Sequence, residues 1–294
     1  HAYKWVNAQG EVTYVKYKWI PQQTPKNLTQ EEANKIQSTN VEHATLDLYN
    51  EIEKGNFPKW DLYVQLLKRE DFEQLDFNPV DVTKVWPESV AKLVKVGTMT
   101  LNQNPTNYFQ QVEQAAFAPA TLVPGIEPSE DKLLQGRLFS YTDTQRHRLT
   151  GNFQQIPVNA SRAAVKTYNQ DGYMSIREQK GEVNYQPSTN VPAVVDNAKF
   201  NYSKSVFPAG TTTTQQVIDK ENNFVQAGNL YQSFSKKDQD NLIKNLSGAL
   251  NQVKNKVIVH KMIAHFYQAN LEYGTRLMKA TNTSMNDVKQ YLPK

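Results

Sequence analysis

Not one of the 294 residues is cysteine. That excludes disulfide staples, thiolate nucleophiles, and zinc or iron–sulfur sites built on cysteine. Long apolar runs are lacking too. None approaches the roughly 18 to 20 residues of a membrane-spanning helix, so no membrane partner is expected. Charge of one sign is never concentrated: 33 basic and 29 acidic residues are interspersed, for a net charge of +4. Without a basic run there is no electrostatic footprint for nucleic acid. Hydrophobic residues make up 38% of the chain, low for a compact globule of this length. Such a composition suggests a core completed by other polypeptide, a cofactor or partner subunits. No initiator methionine or signal peptide is seen. The chain opens at His1 in an extended-type run containing Tyr3, Trp5 and Val6, which reads as a truncation. A cytoplasmic location is the default expectation.

The first hundred residues mix strands and short helices. The runs 1–7 and 12–19 read as a β-hairpin around Ala8-Gln9-Gly10. Thr29 and Glu32 form a capping-box pattern, so a helix is predicted over 29–38. A second helix is predicted over 43–54, stopping at Gly55. Strands follow over 60–67 and 92–101. This order suggests half of a larger sheet or barrel. Asn104-Pro105 then looks like an N-cap with proline at the first helical position, predicting a helix through Phe109, Val112 and Ala116. Another is predicted over 135–148, among loops long enough to wrap a core or a ligand. From about 190 to 222 the composition turns to Ser, Thr, Asn and Gln, as in a linker or arm. Beyond it, Phe224-Val225 and Ser235 open helices, Leu242, Ile243, Leu246 and Leu250 keep helical spacing, and 257–278 carries one or two more. The division is therefore 1–101, 102–192, 193–221 and 222–294, in an α+β fold ending in an all-α domain.

The chemistry concentrates in Leu134-Gln-Gly-Arg-Leu-Phe-Ser-Tyr-Thr-Asp-Thr-Gln-Arg-His-Arg148. On a helix, Arg137, Tyr141, Gln145 and Arg148 recur at intervals of four, four and three and share one stripe. One reading is a solvated face with a snorkelling tyrosine. The other is a site for a large anionic cofactor with a central metal. Tyrosine, with an ordinary pKa of about 10, ligates poorly unless ionised. A ferric ion and an adjacent guanidinium, here Arg137, favour the phenolate. Arg148 suits a bidentate contact with a carboxylate.

The run Arg137-Leu-Phe-Ser-Tyr141-Thr-Asp143-Thr-Gln145 resembles the proximal haem-ligand signature of the catalase family. Phe77-Asn-Pro-Val-Asp-Val-Thr-Lys-Val-Trp-Pro87, the stretch from Asn104 to Phe117, the stretch from Pro124 to Gly136, and Ile156-Pro-Val-Asn159 resemble further family motifs in the same order. The resemblance covers most of 1–185 and, more weakly, 222–275. Several long motifs in order are far more specific than one short pattern.

The resemblance implies a fold: part of an antiparallel catalase-type β-barrel, a long wrapping segment and a carboxyl-terminal helical domain. It implies haem, expected as haem b, with Tyr141 as the iron ligand and Arg137 holding it as phenolate. Arg148 then meets a propionate, Phe117 borders the haem cavity, and Gln145 completes the stripe. Tyrosine ligation is a known mode for catalase haem. The implied reaction is disproportionation of hydrogen peroxide to water and dioxygen, by a tetramer of the small-subunit class. The family's distal histidine and asparagine have no match here, so no catalytic acid–base residue is expected in this chain. His1 matches a later histidine. His43, His147, His260 and His265 read as surface or packing residues. Lys26, Val85 and Trp86 match positions where some members bind NADPH. The histidine usual two residues beyond that tryptophan is Glu88, whose charge opposes nucleotide phosphates. Packing is the competing role for Trp86. Two other functions fit the same fold: a peroxidase, or a haem-binding fragment without activity.

Overall fold

The computed structural model describes residues 1–163, 165, 169–178, 185, 203, 210 and 223–293. Apart from Ser203 and Gly210, the expected linker 193–221 lies outside the described residues. The chain forms two compact units. One comprises His1–Thr24 and Thr45–Thr211, the other Pro25–Ala44 and Thr212–Lys294.

The first unit is built on a five-stranded antiparallel sheet. Strands β1 (Tyr3–Val6) and β2 (Val12–Pro21) form the expected hairpin, with Val6 opposite Val12 and Tyr3 opposite Val15. Gly10 takes φ +82°, a left-handed turn conformation that glycine enters at no steric cost. Strand β3 (Lys59–Leu67) pairs with β2, and β4 (Val94–Thr100) pairs with β3. A three-residue strand that the periodicity did not reveal, β5 (Ile126–Pro128), pairs with β1 on the other side. The spatial order is β4-β3-β2-β1-β5.

The sheet packs over Ala2, Tyr14, Leu67, Trp86 and Ala91. Trp86 is 4% exposed, and its indole N–H donates to the Pro79 carbonyl at 2.9 Å. The buried Gln65 amide donates to the carbonyls of Trp86 and Ala91, satisfying groups that water cannot reach.

The predicted helices at 29–38 and 43–54 appear as α1 (Gln30–Thr39) and α2 (His43–Glu53). The capping box is present, with the Thr29 N–H donating to the Glu32 carboxylate at 2.7 Å and the Glu32 N–H to the Thr29 hydroxyl at 3.3 Å. The segment 25–44, which the sequence suggested would stay with the sheet, groups instead with the helical unit. Helix α1 buries none of its residues, and its Glu31 pairs with Lys244 of that unit at 2.5 Å.

The helix predicted from Asn104 through Ala116 does not form. Only a short wide turn is present, over Phe109–Glu113. Asn104 donates to the Tyr49 carbonyl and the Glu53 carboxylate instead of capping. The Ala116 N–H, which a helix would direct to the Val112 carbonyl, donates instead to the Asn159 side chain at 2.7 Å. Tertiary partners have replaced the local ladder.

Helix α3 (Lys132–Arg148) follows, beginning three residues earlier than periodicity suggested because Asp131 caps it, accepting the Leu134 N–H at 3.0 Å. The second unit continues with α4 (Val225–Ser233), α5 (Lys236–Asn251), α6 (Lys256–Ala269), α7 (Leu271–Ala280) and the one-turn α8 (Met285–Val288). Tyr231, Ile243, Val259, Ile263, Leu277 and Val288 form its core. Among the described residues, no helix is long and apolar enough to cross a membrane.

Candidate functional site

Strand β5 delivers the chain directly to the start of α3. At this join Ser129 and Asp131 are buried. The Ser129 hydroxyl donates to the Ala2 carbonyl at 2.5 Å, tying the start of the chain to this corner. Asp131, 2% exposed, uses its second carboxylate oxygen to receive His1 Nδ1 at 2.7 Å. His1 Nε2 in turn lies 2.5 Å from Arg137 Nη1. A guanidinium can only donate, so Nε2 is the acceptor and Nδ1 carries the proton given to Asp131. The bonds thus set both the tautomer and the plane of the imidazole.

Arg137 continues the chain of contacts. Its guanidinium carbon sits 4.8 Å above the centre of the Tyr141 ring. The positive charge therefore faces the π-cloud. Asp131, His1, Arg137 and Tyr141 form one connected line that starts in a buried carboxylate and ends at a phenol. Tyr141 is 39% exposed, and among the described residues its hydroxyl has no hydrogen-bond partner. Phe117 and Phe139, large aromatic side chains, are also exposed.

The other expected site residues are brought to the same helix, in different roles. Gln145 is 6% exposed, and its amide N–H donates to the Phe117 carbonyl at 3.0 Å. Its amide oxygen accepts from Arg148 Nε and Nη2 at 3.2 and 2.6 Å. Arg148 also donates to the Glu113 carbonyl at 2.6 Å and the Ala115 carbonyl at 2.7 Å. Of the five guanidinium N–H groups, one on Nη1 is left for an anion among the described contacts. Glu113 to Phe117 is thus held against α3.

Lys26 belongs to the helical unit, Val85 is exposed, and Trp86 packs in the sheet core with Lys16 Nζ 5.2 Å from its ring centre. His265 stacks on Phe224 at 5.7 Å, a packing role.

Two residues of the line, His1 and Asp131, were not recognised as site residues from sequence. The contact joins positions 130 apart, and no local pattern announces it. Asp131 was readable only as a helix cap, by its place ahead of α3.

Residues 1–192 match the family model described as Catalase, and residues 217–281 match the model described as Catalase-related immune-responsive. The chain is 48% identical over 293 residues to a protein of Vibrio vulnificus named Catalase, covering 98% of this chain and 57% of that one. It is 46% identical over its whole length to a Catalase of Pseudomonas aeruginosa, covering 56% of it. A fungal catalase crystal structure superposes with a TM-score of 0.85 at 36% identity, over 96% of this chain and 57% of the other. A bacterial catalase structure gives 0.84 at 32% identity, over 96% and 58%. The chain thus spans somewhat more than half the length of the relatives it matches, and with the match of 1–192 and the shared fold it belongs to the catalase family.

Proposed function

We propose that this chain forms the proximal side of a haem-dependent catalase, with Tyr141 as the iron ligand. The observation that carries the reading is the Asp131–His1–Arg137–Tyr141 line, which sets a guanidinium against a phenol that has no hydrogen-bond partner among the described residues. The guanidinium over its ring brings a fixed positive charge to the side chain that would hold a ferric ion. The same cation sits on a buried carboxylate relay, so its position is fixed before any ligand arrives.

The chemistry of the donor set fits haem. The half-open phenol offers an anionic oxygen, and the exposed rings of Phe117 and Phe139 offer apolar surface to a flat macrocycle. The Arg148 N–H left over among the described contacts suits a propionate. When bound, haem supplies a redox-active iron, which allows one hydrogen peroxide to be reduced to water while another is oxidised to dioxygen. His1 serves the tyrosine side, since both its nitrogens are committed to Asp131 and Arg137. It is therefore no candidate for proton transfer to peroxide.

Haem b is the proposed form. Self-association, as a tetramer in the whole protein, is supported by the large apolar side chains left exposed on Phe109, Val96 and Met99. NADPH binding has less support, because Trp86 packs in the core.

The test is hemin titration of the chain and of Tyr141→Phe, followed by absorption spectroscopy. The parent is expected to show a phenolate-to-iron charge-transfer band that the variant lacks. Equal spectra and equal affinity would refute Tyr141 as the ligand.

A further inference from the structure

The segment 113–117 has almost no regular structure, yet its backbone is held at every residue. Arg148 donates to the carbonyls of Glu113 and Ala115. Asn159 donates from its amide to the Gln114 carbonyl at 2.9 Å and accepts the Ala116 N–H at 2.7 Å. Gln145 donates to the Phe117 carbonyl. Five consecutive residues therefore each give one backbone group to a side chain. Asn159 is anchored in turn by a 3.2 Å bond from its amide to the Phe153 carbonyl. Gln145 is anchored by two bonds from Arg148.

Such fixing costs conformational entropy at each residue, and local secondary structure would satisfy the same groups. What is held in place also matters. The Phe117 side chain is 83% exposed, although its carbonyl is fastened to Gln145, one helical turn from Tyr141. A backbone held residue by residue that presents an exposed aromatic ring is suited to serve as a preset wall.

We infer that Gln145 and Asn159, acting with Arg148, are positioning residues that preset the 113–117 segment, and Phe117 with it, for the haem face. Gln145 thereby changes role, from a cofactor contact to a residue that acts through Phe117 and Arg148. Asn159 joins the site although it lies on no helix. The inference rests on the haem reading above and adds to it which residues shape the cavity in advance.

The two amides can be separated chemically. Gln145→Glu keeps an acceptor for Arg148 and removes the donor to Phe117. Gln145→Met removes both. Asn159→Asp keeps the acceptor for the Ala116 N–H and removes the donors to Gln114 and Phe153. Hemin affinity is measured by titration for the parent chain and the three variants, with amide exchange at residues 113–117 in the hemin-free chains. The parent is expected to bind hemin with slow exchange in this segment. Each variant is expected to exchange faster and to bind about tenfold more weakly, roughly the worth of one net hydrogen bond, with an unchanged tyrosinate–iron spectrum. Tryptophan fluorescence during denaturation confirms that each variant is folded. A merely structural role would lower stability but leave the hemin affinity of the folded chain at the parent value, and that result overturns the inference. So does exchange that stays slow in all three variants. A parent that takes up no hemin fails in a different place: it overturns the haem reading itself, and the positioning role with it.

Discussion

Replacing Asp131 is the sharpest probe of the line that ends at Tyr141. Its carboxylate does two things at once: Oδ1 caps α3 through the Leu134 N–H at 3.0 Å, and Oδ2 receives His1 Nδ1 at 2.7 Å. Removal of a cap of this kind costs about 1 kcal/mol. The His1 side chain is 12% exposed, so an orphaned N–H there costs on the order of 1–3 kcal/mol more. Asp131→Ala should therefore lose about 2–4 kcal/mol. Asp131→Asn is more instructive. If the amide oxygen keeps the cap, the amide N–H faces His1 Nδ1 and drives the proton to Nε2. That proton then opposes the Arg137 N–H. If the amide turns over, His1 is satisfied and the cap is lost. Either way one partner goes, at about 1–3 kcal/mol. All four tryptophans, Trp5, Trp19, Trp60 and Trp86, lie in the sheet unit, so their fluorescence reports its unfolding alone. At about 2–4 °C per kcal/mol for a unit of this size, Asp131→Ala should melt roughly 10 °C lower, with Asp131→Asn between it and the parent. Both should also bind hemin more weakly. An Asp131→Asn chain that melts with the parent and takes up hemin equally well would show that the line is not energetically connected.

Two further outcomes are expected. Asp61 receives hydrogen bonds from Lys95, Thr98 and Gln22, with Lys95 the largest influence, and its pKa is lowered from 3.8 to about 2. A folded-state pKa below the unfolded value gives stability that is present above about pH 3.8 and lost as pH falls through about 2. The stability difference between parent and Asp61→Asn should accordingly shrink between pH 4 and pH 2 in denaturant titrations; a difference independent of pH contradicts it. In the helical unit, a Cβ on Gly274 would fall 2.4 Å from the Tyr267 Cα, where the backbone cannot yield cheaply. Gly274→Ala should lower the helical melting transition followed by circular dichroism, by about 1–3 kcal/mol or more, and an unshifted transition would mean that α6 and α7 pack less closely than described.

Much of this protein was legible along the chain. Strand alternation and turn residues placed β1 and β2, and the capping box at Thr29 and Glu32 placed α1. Spacing put Arg137, Tyr141, Gln145 and Arg148 on one helix, and the motif resemblance named the family. These are local signals, written within a few turns of backbone. What failed was also local. The helix expected from Asn104 gave way to a short turn over Phe109–Glu113, and the Ala116 N–H it would have used went to Asn159. Only the tertiary structure decided that Gln145 faces inward to hold Phe117, that α1 joins the helical unit, and that His1 stands between Asp131 and Arg137. Those outcomes depend on pairs far apart in sequence. Their free energy comes from buried polar groups that must find partners once the chain has closed around them, and no window of sequence contains both members of such a pair.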